Sequence, residues 1–210
     1  MLPTDEATQR RVFFQILAVS TLIKLWLAAA IPFTGDEAYF YLWGMVPDWG
    51  GYYDHPPMAG WWLWALQKVS SSTLWLRVPA ILLWIVISLG MMDLLRRLQP
   101  HQAGKAWMLG SLFLALPFTW SLNLITTDTP LIFWSVASAA ALMHAQAQQD
   151  ADAPSRTVIG WHACSGLFLG LAFLSKYFAV VLGLAYAVYF AVWQRARWAS
   201  FACLVLCALP

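Results

Sequence analysis

The chain predicts an all-α, polytopic transmembrane helical bundle with short interfacial helices in its first outer loop. Three observations carry this. Hydrophobic residues make up 61% of the 210 residues and charged residues only 10%, whereas soluble domains hold roughly 25% charged residues. Apolar runs recur along the chain, giving a mean hydropathy of +0.63, and about 20 apolar residues suffice to cross a bilayer as a helix. Tryptophan occurs 14 times, and Trp49, Trp61, Trp62, Trp75, Trp107 and Trp193 fall near the ends of those runs, where amphipathic rings sit at headgroup level.

In chain order, spans are read at about 12–31, 74–95, 106–123, 129–147, 157–175 and 177–194. A further apolar run at 198–210 is only about 13 residues long, too short to cross. The expectation is therefore the N-terminal part of a longer transmembrane domain, or a truncated product. Orientation follows from the cations. With the N-terminus inside, Arg10, Arg11, Arg96, Arg97, Lys105, Arg156, Arg195 and Arg197 are cytoplasmic, against Lys68, Arg77 and Lys176 on the other side. Lys24 lies within the first span. This asymmetry predicts a multi-pass protein of the cytoplasmic (inner) membrane, with a cytoplasmic N-terminus and the 32–73 loop outside. Cys164, Cys203 and Cys207 lie in apolar runs without zinc-ligand spacing, so no disulfide framework or cysteine metal site is indicated. No cleavable signal peptide is evident, and no nucleic-acid partner is expected.

The 32–73 loop concentrates charge. It holds Asp36, Glu37, Asp48 and Asp54, four of the ten acids in the chain, and ionisable groups at a membrane boundary point to function. Residues 36–46 and 58–69 have the pattern of short helices lying in the interface, punctuated by Gly50-Gly51 and Pro56-Pro57. Thr34 and Glu37 have capping-box spacing. That explains one acid and leaves Asp36 as a carboxylate suited to general-base work on a hydroxyl or amine acceptor. Glu37 stands as a second catalytic candidate, with capping as its alternative.

Tyr52-Tyr53-Asp54-His55-Pro56-Pro57 reads either as a rigid turn anchored by its tyrosines or as a site. In the second reading His55 donates to a phosphate oxygen, and Asp54 orients it or binds a divalent cation. One Asp-His pair without a second ligand pair leaves the metal unassigned. Thr126-Thr127-Asp128-Thr129-Pro130 is either an ordinary helix start or a further site segment on the same outer side. Lys176, at an outer hairpin tip, either snorkels to headgroups or meets a phosphate as a point charge. Arg77 joins that anion site or snorkels. Gly166 and Gly170 form a small-xxx-small pair suited to close helix packing. His101, His144 and His162 read as interfacial or packing residues. Acids to accept a proton and cations to hold a phosphate are what group transfer from a lipid phosphate needs.

Four of these segments keep a familiar order: Asp36-Glu37, Tyr53-Asp54-His55-Pro56-Pro57, Thr126-Thr127-Asp128, and Gly170 to Tyr177 (Gly-Leu-Ala-Phe-Leu-Ser-Lys-Tyr). Over about 12–195 the chain resembles the polyprenyl-phosphate-sugar-dependent glycosyltransferases of the GT-C fold. It is most similar to the protein mannosyltransferase-like family that includes the lipid A aminoarabinose transferases. The resemblance implies an inverting transferase that moves a sugar from a polyprenyl-phosphate carrier to an acceptor outside the cytoplasm, such as lipid A, a glycan or a protein. Asp36 matches the catalytic aspartate. Tyr53, Asp54 and His55 match the motif lining the donor phosphate or a divalent metal ion, and many relatives have Glu-Lys in place of Asp54-His55. Asp128 and Lys176 match further donor-site positions. Two other classes stand beside this one. A lipid-sugar transporter would place its charges near the bilayer midplane on broken helices; an inactive, truncated transferase is the other.

Overall fold

The computed structural model describes residues 5–121, 123–194 and 197–209; Arg195 and Pro210, which figure in the sequence reading, lie outside them. The described residues are helical, with no strand among them. The helices are α1 (Glu6–Ala30), α2 (Gly35–Met45), α3 (Met58–Gln67), α4 (Thr73–Leu98), α5 (Ala106–Ala115), α6 (Phe118–Ser121), α7 (Asp128–Asp150), α8 (Ser155–Phe173), α9 (Val180–Trp193) and α10 (Trp198–Ala208). Among them α1 and α4 are long and apolar enough to cross a membrane. They group into two compact units, the first drawn from Met1–Tyr39 and Leu66–Ile125, the second from Phe40–Ala65 and Thr126–Pro210.

In the first unit, Asp5 opens α1 by accepting the Thr8 amide at 2.8 Å. This starts the helix six residues earlier than its apolar run suggests. Pro32 ends it, because the residue before a proline is driven out of the helical region; Ile31 is extended, at φ −84° and ψ 125°. Ser72 caps α4 through the Trp75 amide, and Arg96 and Arg97 in its last turn suit the negative end of the helix dipole. The stretch 106–123 is not one continuous helix. Leu116 is extended before Pro117, so the run divides into α5 and the short α6. Phe13, Trp84, Met92, Ala106 and Leu114 make the core where α1, α4 and α5 meet. Lys24 does not face lipid. Its side chain is buried, with Nζ 5.5 Å from the Trp84 ring centre, a cation–π contact.

In the second unit α8 is the central element, packed by α7 on one face and α10 on another. Ser138 and Ser165 cross-bond α7 to α8. Each hydroxyl donates to the other residue's carbonyl, at 2.8 and 3.0 Å. With its own proton so committed, Ser138 Oγ is left to accept from the Tyr186 hydroxyl at 3.0 Å. A hydroxyl without a partner in such an interior is costly, so the three residues fix the register of α7, α8 and α9. The glycine pair works as its spacing suggests. A Cβ on Gly166 would collide with the Leu204 carbonyl, and one on Gly170 would press on that of Ala208. Both glycines let the α10 backbone lie directly on α8.

This packing distinguishes glycines on one helix. Gly166→Ala is expected to lower stability by about 1–3 kcal/mol, the usual cost of overpacking. Gly160→Ala, whose Cβ enters open space, is expected to be neutral or stabilising by up to about 1 kcal/mol. Melting temperatures of the two variants in detergent check both.

Candidate functional site

The acidic loop is organised by a buried ion pair. Glu37 is wholly buried in the first turn of α2, and so is Arg77, from the first part of α4. The Arg77 guanidinium donates through Nε to Glu37 Oε1 at 2.8 Å and through Nη2 to Oε2 at 2.5 Å. Its remaining N–H groups go to the carbonyls of Ala28, Ile31 and Pro32, at 3.0, 2.7 and 3.0 Å. Each of the five guanidinium donors therefore has a partner. Glu37 is equally saturated. It completes the capping box, accepting the Thr34 amide at 3.2 Å while its own amide donates to Thr34 Oγ1 at 3.3 Å, and Oε1 also accepts the Ile125 amide at 3.2 Å. Arg77 thus neither snorkels nor faces an outer anion: it closes the end of α1, the start of α2 and the 123–125 segment onto α4. Burial pushes the Glu37 carboxyl up, and the hydrogen bonds from Arg77, Thr34 and Ile125 outweigh it, leaving the group below the ordinary carboxylate range.

Asp36 stands beside this cluster in the opposite state. It is exposed in the same first turn of α2, and its carboxylate takes no hydrogen bond or ion pair among the described residues.

In the second unit, Tyr52 holds the turn. Its ring stacks on Trp43 with centroids 4.0 Å apart and planes 5° apart. Its hydroxyl donates to the Trp43 carbonyl at 2.9 Å and accepts the Asp48 amide at 3.2 Å. The ring lies against Gly60, where a Cβ would clash with it, and burial pushes the phenol up from its ordinary range. Gly51, at φ +97°, lets the chain turn so that the Tyr52 amide reaches the His55 carbonyl at 2.8 Å. Asp48 is a turn residue, bonding the Gly50 amide at 2.8 Å.

The turn presents two site residues together. His55 Nδ1 is buried 3.2 Å from Asp54 Oδ2, outside hydrogen-bond alignment, a contact that becomes an ion pair when the ring is protonated. The ring is flanked by Phe40 and Trp43, each 6.0 Å away between centroids. Tyr53 projects fully into the open. Asp128 and Lys176 also meet: Lys176 Nζ donates to Asp128 Oδ1 at 2.8 Å, both partly exposed. The Met58 amide donates to the Leu174 carbonyl at 3.1 Å. This ties the chain just after His55 to the chain just before Lys176 and puts both pairs at one end of this unit.

The second unit therefore offers two exposed or half-exposed pairs, and the first unit offers Asp36 above a locked pair. Asp54 and His55 are only two donors, and no group of three His, Cys, Asp or Glu side chains occurs among the described residues, so the side chains do not form a metal cage. The parts that Arg77 and Tyr52 play, one in each unit, are not legible in sequence. Arg77 pairs with an acid 40 residues away, and nothing local marks that. Tyr53 rather than Tyr52 is the tyrosine the sequence singles out; the one cue to Tyr52 is Gly60, a small residue just before the Trp-rich run Trp61-Trp62-Leu63-Trp64 that leaves a slot for a ring.

The family described as dolichyl-phosphate-mannose-protein mannosyltransferase matches residues 54–209. Lipid A galacturonosyltransferase RgtD of Rhizobium johnstonii is 30% identical over 151 residues, covering 70% of this chain and 30% of that protein. The chain thus spans less than a third of the length of this curated relative. No solved structure matches.

Removing one partner of a buried ion pair leaves the other charge uncompensated, at about 3–5 kcal/mol. Arg77→Met is expected to destabilise by that order in thermal unfolding, while Lys176→Met, from a half-exposed pair, changes stability by less than about 1 kcal/mol. The Glu37 carboxyl is depressed from an ordinary value of 4.5 in the folded state, so its contribution is complete above that pH and is lost as pH falls through the folded value. The melting temperature is expected to hold level above about pH 5.5 and fall on acidification below the ordinary carboxylate range.

Proposed function

Because the chain belongs to the dolichyl-phosphate-mannose-protein mannosyltransferase family, whose fold is of the GT-C glycosyltransferase type, we propose that it acts as a membrane glycosyltransferase. In this reading it moves a sugar from a polyprenyl-phosphate donor to an acceptor outside the cytoplasm. Lipid A is the acceptor favoured by the likeness to a lipid A galacturonosyltransferase; a glycan or a protein is the alternative. The Lys/Arg asymmetry supports an inner-membrane protein with its N-terminus in the cytoplasm and the acidic loop outside.

The observation that carries the proposal is the contrast between neighbours. Glu37 has no free lone pair and a depressed pKa, so it is a poor proton acceptor in use and a good support. Asp36 is exposed and unengaged. Asp36 takes the proton from the acceptor hydroxyl as its oxygen forms a bond to the anomeric carbon. The bond from that carbon to the phosphate oxygen breaks, its electron pair leaves with the phosphate, and the configuration inverts. Charge grows on the leaving phosphate, and stabilising that charge is the main electrostatic demand. In this reading Lys176 and His55 meet it. Lys176 is held in reserve by Asp128, in a partly exposed pair weak enough for an incoming phosphate to displace. Glu37 and Arg77 are positioning residues that fix the first turn of α2.

Asp36→Asn is expected to reduce transfer from a polyprenyl-phosphate sugar by about 10²–10⁴-fold, the range for a lost general base, with the melting temperature unchanged. Lys176→Gln is expected to raise the donor KM more than it lowers kcat. Undiminished transfer by a folded Asp36→Asn protein contradicts the assignment.

A further inference from the structure

One feature of the first unit takes no part in that chemistry. Two cavities, of about 350 and 120 Å³, lie along α1 and α5 and share Ile16 and Ala115, so they are two parts of one groove. Its walls are apolar: Val12, Ile16, Val19 and Ile23 on α1 face Leu112 and Ala115 on α5. From Gln9 to Ile23 the helix rises about 21 Å, at 1.5 Å per residue. That exceeds one leaflet of hydrocarbon, about 15 Å deep.

A basic, aromatic cluster stands at the Gln9 end. Arg10 and Trp107 directly adjoin in sequence Gln9 and Met108, which line that end of the groove. The guanidinium carbons of Arg10 and Arg96 lie 5.9 and 4.8 Å from the Trp107 ring centre. Two cations thus converge on one indole. Neither is ion-paired among the described residues. Glu6, the acid at the cluster, accepts the Trp107 indole N–H at 3.2 Å instead. Two guanidiniums drawn to one ring leave an excess of positive charge, which favours an anion between them.

We propose that the α1/α5 groove and the Arg10–Arg96–Trp107 cluster form a binding site for an anionic phospholipid, one acyl chain lying along Ile16 and Ala115 and the phosphate held by the two arginines. By the charge asymmetry this end faces the cytoplasm, where basic pockets between transmembrane helices meet acidic headgroups. The ligand's source rests on the membrane reading of α1 and α4. The site is separate from the transfer chemistry, since none of its residues belongs to the acidic loop or the Asp128–Lys176 pair.

Native mass spectrometry of the full chain, released from nanodiscs holding equal phosphatidylglycerol and phosphatidylcholine, tests this. One retained phosphatidylglycerol per chain, at least tenfold over phosphatidylcholine, is expected. Ala115→Trp, which fills the groove from an exposed position, is expected to abolish retention. Arg10→Gln with Arg96→Gln is expected to bring the two lipids to parity. Equal retention of both lipids by the parent chain, or undiminished retention by Ala115→Trp, overturns the site. Leu112→Trp, from a second exposed position, gives the same reading should Ala115→Trp fail to fold by circular dichroism. Transfer activity plays no part in the readout, so its loss or presence leaves this result distinct.

Discussion

The buried ion pair between Glu37 and Arg77 is the constraint on which the candidate site depends. Two opposite charges removed from water are costly to hold, and here every donor of the guanidinium and both oxygens of the carboxylate are engaged. The carbonyls Arg77 takes up are those left free where α1 ends at Ile31-Pro32, groups that a helix terminus must satisfy somewhere. One side chain therefore takes up the carbonyls at the end of α1, holds the first turn of α2 through Glu37 and anchors the loop. Such saturation makes the first turn of α2 rigid, and a rigid turn is what allows its neighbour, Asp36, to stay exposed without collapsing onto a cation.

The contrast with Asp128–Lys176 is physical rather than formal. Both are carboxylate–cation contacts under 3 Å. One is closed to solvent on both sides, whereas the other leaves about a third of the lysine side chain and half of the aspartate exposed. Water screens the exposed pair, so its two members remain exchangeable. A site for an anionic donor needs cations of this second kind, and a framework needs charges of the first.

Local features were legible in sequence to the degree that local chemistry decides them. The helices at 35–45 and 58–67 stand within two residues of the segments read from spacing and from Gly50-Gly51 and Pro56-Pro57. The capping box between Thr34 and Glu37 was visible as a spacing and is present as reciprocal bonds. Gly166 and Gly170 pack as their spacing implies, although sequence does not name α10 as the partner. What failed was pairing at a distance. Arg77 looks in sequence like a cation bound for a headgroup or an outer anion, because hydropathy measures only the cost of burying a charge and not the partner that offsets it. Hydropathy over 106–123 does not register Pro117, whose effect on the residue before it breaks the helix. Tyr52 and Tyr53 are chemically alike, and only the fold shows that one is the keystone of the turn and the other projects from it.

The division of labour between adjacent acids is the central claim, and Glu37→Gln tests it most directly. Glutamine keeps an acceptor for Arg77 and the shape of the cap but removes the charge. Turnover per folded molecule, measured beside Asp36→Asn, separates support from chemistry. The account predicts that folded Glu37→Gln protein transfers at least tenfold faster than Asp36→Asn. A Glu37→Gln protein that folds normally yet turns over no faster than Asp36→Asn would contradict it.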